Sequence, residues 1–314
     1  MATFAKDFRF GVATAAYQVE GAAAEDGRTP SIWDTFCRTP GKVHGGETGD
    51  VACDNYHRYR EDVRLMKEMG VDSYRFSIAW PRIFPAYGTY NPKGMEFYRS
   101  LIHELQESGI DPVVTLYHWD LPNWAHERGG WLNRESVAWF AEYAAKVFEK
   151  LGDSVKLWIT HNEPFCASML GYGMGIHAPG HQDMREALIA AHHILLSHGA
   201  AVEAFRNCGL RDGKVGITLN LTPAVPFTRS RADLEAVSRS DGIANRWFLD
   251  PVLKGSYPED TREVLRKLVG DLDFIRDGDL QRISHGIDFL GVNYYTRSLV
   301  RVVQNGALNY EEVR

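Results

Sequence analysis

Six short runs of apolar and β-branched residues, each followed by a longer stretch of helical period, constrain this chain more than any other feature. The predicted strands are 8–16, 73–80, 111–119, 155–160, 214–221 and 288–295. Pro112-Val-Val-Thr-Leu-Tyr117 and Val215-Gly-Ile-Thr-Leu-Asn220 are almost unbroken apolar and β-branched runs, the pattern of strands covered on both faces. Between strands, Asn91-Pro92 supplies a cap and a first-turn proline ahead of Tyr98, Leu101, Ile102 and Leu105, and Gly109 closes that helix. A second helix is predicted from Asn133, with Val137, Phe140, Ala144, Phe148 and Leu151 on one stripe before Gly152. A third carries Tyr56, Tyr59, Val63 and Met66 and stops at Gly70. Strand, helix and strand in repetition predict a parallel α/β fold.

The strands finish in groups that bind or transfer protons: Tyr117-His118-Trp119-Asp120, His161-Asn162-Glu163, Asn220 and Asn293-Tyr294-Tyr295. In β/α barrels the sites lie at the carboxyl ends of the strands, and polar groups delivered to one rim by several strands favour a barrel over an open sheet. No low-complexity tract or linker divides residues 1–314, so they read as one domain. With 35 Lys and Arg against 41 Asp and Glu, the charge is −6 and the basic surplus of a nucleic-acid binder is missing. No apolar run reaches the ~18 residues of a membrane span, and the first residues lack the pattern of an export signal. Four cysteines without Cys-x-x-Cys spacing complete the expectation of a cytoplasmic enzyme.

Glu163 ends a strand beside an amide and before a proline, and a ring of Trp158, Trp119 and Tyr117 around it is expected to desolvate it. Desolvation raises a carboxyl pKa, which a general acid working near neutrality needs. Read alone, Asn-Glu-Pro fits a surface glutamate opening a loop equally well. Gln18, a donor and acceptor at once, suits two vicinal hydroxyls, or is simply solvated. His118 with Trp119 offers a hydrogen bond and a flat apolar face suited to a pyranose ring; a core histidine beside a packing tryptophan is the plainer alternative. Arg75, inside an apolar strand, is expected to need a buried anion. The twelve histidines contain no His-Glu-x-x-His, and no serine or cysteine triad, phosphate loop or metal set is evident.

Taken in order, five segments resemble glycoside hydrolase family 1, the β-glucosidase family. They are the opening from Phe8 to Ala22, Tyr74-Arg-Phe-Ser-Ile-Ala-Trp80, Tyr117-His-Trp-Asp-Leu-Pro122, Thr160-His-Asn-Glu-Pro164 and Phe289-Leu-Gly-Val-Asn-Tyr-Tyr-Thr296. The resemblance implies a (β/α)8 TIM barrel that hydrolyses terminal β-D-glucosyl residues of β-glucosides and cello-oligosaccharides with retention. It implies Glu163 as acid/base, Gln18, His118 and Asn162 on the sugar hydroxyls, Trp119 as a wall, and Arg75 and Tyr295 orienting the nucleophile. No metal or organic cofactor is implied. A 6-phospho-β-glycosidase or a non-catalytic sugar-binding scaffold are the alternatives.

Retention requires a second carboxylate about 5–5.5 Å from the acid. The family places it in a Glu-Asn-Gly segment ending the seventh strand, and no Glu-Asn-Gly occurs here. The predicted strands recur about every 56 residues, so two further barrel units need ~110, whereas about 20 follow Tyr295. The expectation is therefore an incomplete barrel with strands 1–6 present and 7–8 absent. Asp120 is a poor substitute nucleophile, since its place in Trp-Asp-Leu-Pro reads as a turn. Two unpaired edges imply a complementing carboxyl-terminal segment or self-association.

Overall fold

The computed structural model describes residues 3–210, 212–304, 306 and 308–313. Nine strands occur among them: β1 (Gly11–Ala13), β2 (Ser73–Ser77), β3 (Asp111–Tyr117), β4 (Leu157–Asn162), β5 (Lys214–Asn220), β6 (Ala224–Pro226), β7 (Phe289–Asn293), β8 (Ser298–Val302) and β9 (Tyr310–Val313). Six form one sheet in the order β1-β2-β3-β4-β5-β7, and every pairing is parallel. The fold is that of a β/α barrel, here with six strands in sequence order. Parallel pairing brings all six carboxyl ends to one rim, which is where the polar strand ends meet.

Each predicted strand exists; most are shortened, while β4 starts two residues later and ends two residues beyond the predicted 155–160. The chain turns helical at Ala16–Val19 after β1 and at Trp80–Ile83 after β2, where extended backbone had been expected. The inner strands β3, β4 and β5 are buried almost throughout, whereas β1 and β7 are half-exposed because each pairs on one side only. The helix Pro92–Glu107 starts as expected, with the Asn91 side chain accepting from the Lys93 N–H. The next begins at Ser136 instead of Asn133, whose side chain accepts from the Glu135 N–H ahead of the first turn. The helix Asn55–Met69 ends on Gly70 at φ 72°, a left-handed stop that glycine adopts without Cβ strain.

Two features have no counterpart in the sequence reading. One is the small sheet β6-β8-β9 outside the barrel. The other is the 24-residue helix Met184–Asn207, apolar and long enough on those grounds to cross a membrane. It is a core helix: Leu188, Ala191, Ile194, Leu195, Ala201 and Val202 are fully buried, and it packs against the helix Ser136–Leu151. Its histidines are engaged separately. His192 bonds Asp279 and Tyr257, His193 meets the Trp131 carbonyl, and His198 meets Thr160 Oγ1, so they form no metal set.

Candidate active site

Four strand ends are tied together by hydrogen bonds at the rim. Arg75, on β2, reaches across the barrel: Nε donates to Thr115 Oγ1 at 3.1 Å, Nη1 to Asn293 Oδ1 at 3.4 Å, and Nη2 to Asn162 Oδ1. The buried anion expected for it is Glu163, which makes no direct bond to the guanidinium. Neutral oxygens take up its protons, and the carboxylate of Glu163 acts on it through space, since its side chain points into the rim and not into the helix layer. Burial pulls the guanidinium pKa down, and the charge of Glu163 opposes that pull.

Asn162, the last residue of β4, accepts at Oδ1 from Arg75 and from Asn293 Nδ2 and places its own Nδ2 3.3 Å from His118 Nε2. Burial pushes the His118 pKa down to about 3, with the Arg75 charge adding to it. The ring is therefore neutral; Nε2 accepts from the amide, and Nδ1 carries the proton with no partner among the described residues. Trp119 donates Nε1–H to the Asn162 carbonyl at 2.8 Å and stacks with Trp33 at 6.4 Å between ring centroids.

Glu163 is buried at 4% exposure. Its Oε1 accepts from Asn293 Nδ2 and its Oε2 from the Cys166 thiol at 3.1 Å. Glu163 and Trp119 both sit in the left-handed region, at φ 51° and 79°. Such residues cost of order 1–3 kcal/mol each and persist where the surroundings over-determine them. At Glu163 that hold includes an N–H bond to the Thr218 carbonyl at 2.8 Å.

The expected ring around Glu163 is only partly there. Trp119 belongs to the site, but Tyr117 bonds Trp131 and Trp158 packs edge-on against Phe148, both on the helix side of the sheet. Within β4 itself the pairing with β5 changes register between Ile159 and Asn162. Before it Trp158 faces the helices, and within it Thr160 and His161 do too, His161 on Phe140 and Ser197. Asn162 then turns inward, against simple alternation.

Gln18 is exposed on the turn after β1 and lines a cleft of about 340 Å³ with Trp33, His118 and Trp119. Tyr295 is 82% exposed and has no hydrogen-bond partner among the described residues, although the Glu163 charge reaches its hydroxyl. Asp120 points elsewhere, fully buried, with Glu20, Arg28 and Asp34 as its charged neighbours. The sequence reading missed the roles of Asn293, Thr115 and Cys166. Asn293 was visible as a strand-end amide, and Cys166 stands three residues after Glu163, a spacing at which side chains meet on a helix. No group of metal-ligating side chains occurs among the described residues.

The buried imidazoles set an acid limit on stability. His193 is pushed down to about 4 and His198 to about 3, chiefly by burial. The unfolded chain protonates these rings near pH 6.5 while the folded one does not, so stability is lost as pH falls from about 6.5 towards 4. Asp120 opposes this. Burial first, then the Glu20 charge, pushes its carboxyl up to about 7, so its contribution falls as pH rises from about 4 to 7. His118, His161 and His192 are likewise held low by burial, so five buried histidines stand against this carboxyl and the urea midpoint is expected to be lower at pH 5 than at pH 7. Asp120→Asn should widen that difference; equal midpoints in the parent would contradict the assignment.

The sequence profile of Glycosyl hydrolase family 1 matches residues 1–313. Beta-glucosidase A of Acetivibrio thermocellus is 51% identical over 300 residues, 95% of this chain and 66% of that protein. The beta-glucosidase of an Agrobacterium species is 47% identical over 297 residues, 94% of this chain and 64% of its own length. The chain thus spans just under two thirds of these curated relatives. Among solved structures, the family 1 beta-glucosidase of Exiguobacterium antarcticum superposes with a TM-score of 0.98 at 55% identity, covering 100% of this chain and 70% of that one. The family 1 beta-glucosidase of Thermotoga maritima gives 0.95 at 43% identity, covering 99% and 70%. With five sequence segments in order, a parallel barrel sheet and a profile match over nearly its whole length, the chain belongs to glycosyl hydrolase family 1.

Proposed function

We propose that this chain carries the acid/base side of a retaining β-glucosidase site acting on β-glucosides and cello-oligosaccharides. Glu163 protonates the leaving oxygen and then activates water, while Gln18, His118 and Asn162 bind the glycone and Trp119 walls it. Arg75 and Tyr295 orient a nucleophilic carboxylate supplied by polypeptide outside these 314 residues. The observation that carries the reading is the bonded network of Arg75, His118, Asn162, Asn293 and the buried Glu163 carboxylate at one rim. The names of the relatives support the substrate. The unpaired sides of β1 and β7 among the described residues support a complementing segment of two β/α units. Four free thiols are in keeping with a reducing, cytoplasmic setting.

Aryl β-glucoside hydrolysis measured with and without a carboxyl-terminal polypeptide containing Glu-Asn-Gly tests this. Turnover is expected only in the mixture, and comparable retaining turnover by the 314 residues alone would overturn the need for an external nucleophile. Glucose binding by calorimetry without hydrolysis in the mixture would favour a sugar-binding scaffold. Light scattering on the chain alone is expected to show association through the open edges; a compact monomer would contradict it.

A further inference from the structure

Cys166 grips Glu163 twice. Its N–H donates to the Glu163 carbonyl at 2.9 Å, and its thiol donates to Oε2 at 3.1 Å. It opens the π-helix Cys166–Gly173, whose first turn is fastened by Ser168 Oγ on the Pro164 carbonyl at 2.7 Å. Asn293 holds the other carboxylate oxygen from β7. The side chain of Glu163 is thus fixed by one donor from its own loop and one from a strand that follows more than a hundred residues later.

We propose that Cys166 is a positioning residue, whose S–H fixes Oε2 of Glu163 and so sets the direction in which the carboxyl presents its remaining lone pairs. The consequence for catalysis rests on the glycosidase reading; the contact itself does not. A thiol suits this task because it is a weak donor. A hydroxyl on a carboxylate makes a charge-assisted bond roughly twice as strong as a neutral one, which favours the ionised form and works against an acid that must give up and regain a proton. Burial, then the Glu163 charge and the hydrogen bond, push the Cys166 pKa far up, so the group stays a thiol and acts as donor. The buried thiol touching Glu163 is therefore neither a nucleophile nor a metal ligand in this account.

Infrared spectroscopy of the S–H stretch on the purified chain tests the contact. Subtracting the spectrum of Cys166→Ser from that of the parent isolates the Cys166 band, with exposed Cys53 and Cys208 as solvated references. The band is expected to move in Glu163→Gln, and to shift with pH in one step in the parent but not in that variant. A merely packed thiol would ignore both the substitution and the pH step, and a band that does so overturns the proposal. If Cys166→Ser does not fold, the comparison of parent with Glu163→Gln gives the same discrimination. Alkylation by iodoacetamide provides a second readout: Cys166 should react severalfold faster in Glu163→Gln, where the opposing charge is gone, and an equal rate counts against the contact. A responsive band in a chain that stays inert when complemented would retain the contact and remove the catalytic reading. Turnover with an unresponsive band would do the reverse.

Discussion

Glu163→Gln, in the barrel completed by its complementing segment, is expected to lower kcat/KM for β-glucosides with poor leaving groups by about 10²–10⁴-fold. Substrates with good leaving groups should lose far less in the glycosylation step. The amide keeps the shape of the carboxyl, its one oxygen can still accept from Asn293 and its NH2 can face the Cys166 sulfur as donor, so the fold and the glycone contacts of His118 and Asn162 should survive. What it cannot do is deliver a proton to the departing oxygen or take one from water. A leaving group that departs easily as an anion does not need the first of these, and added azide should replace water in the second step. Steady-state kinetics over a series of aryl glucosides measures the dependence. Equal losses across the series would remove Glu163 from the acid role while leaving it a structural part of the rim.

Glu20→Ala should cost stability on the scale of about 3–5 kcal/mol, the range for removing one partner of a buried ion pair. Arg82 is wholly buried and Glu20 nearly so, with Nε and Nη2 of the arginine each 3.2 Å from Oε2 and the Tyr98 hydroxyl on Oε1. Without the carboxylate, the guanidinium stays in the core with no counter-charge. The double variant Glu20→Leu with Arg82→Met should recover part of the loss, because it also removes the stranded charge. Urea unfolding of the three proteins reads this directly, and a Glu20→Ala midpoint close to that of the parent would contradict it. The pair also bears on the site: Glu20 follows the turn that carries Gln18 and lines the cleft, so sugar affinity should weaken together with stability.

How far the sequence could be read depended on whether a residue's setting was local. The inner strands were legible because β3 and β5 are covered on both faces and keep unbroken apolar runs. His118, Asn162 and Glu163 stood out as polar groups at the ends of such runs, and Arg75 as a charge inside one, placements with few structural uses. The orientation of Trp158 and Tyr117 was not, because nearness in sequence to a strand end does not say which face a ring takes, and both pack on the helix side against Phe148 and Trp131. Met184–Asn207 gave no amphipathic stripe because it is buried on nearly all sides. The grip of Asn293 on Glu163 joins residues 130 positions apart, and no local pattern encodes it. For Arg75 the expected anion is present but indirect: its N–H groups go to two amide oxygens and a hydroxyl, and the buried Glu163 carboxylate lies one hydrogen bond further on, at Asn293.

The central claim is that Glu163 works opposite a second carboxylate brought to the rim by another polypeptide segment. The most direct measurement is proton NMR of the first glucose released from an aryl β-glucoside by the complemented chain, before the anomers equilibrate. A two-carboxylate retaining site releases β-glucose first. Release of α-glucose first, or β-glucose at the same rate from the 314 residues alone, would contradict the account.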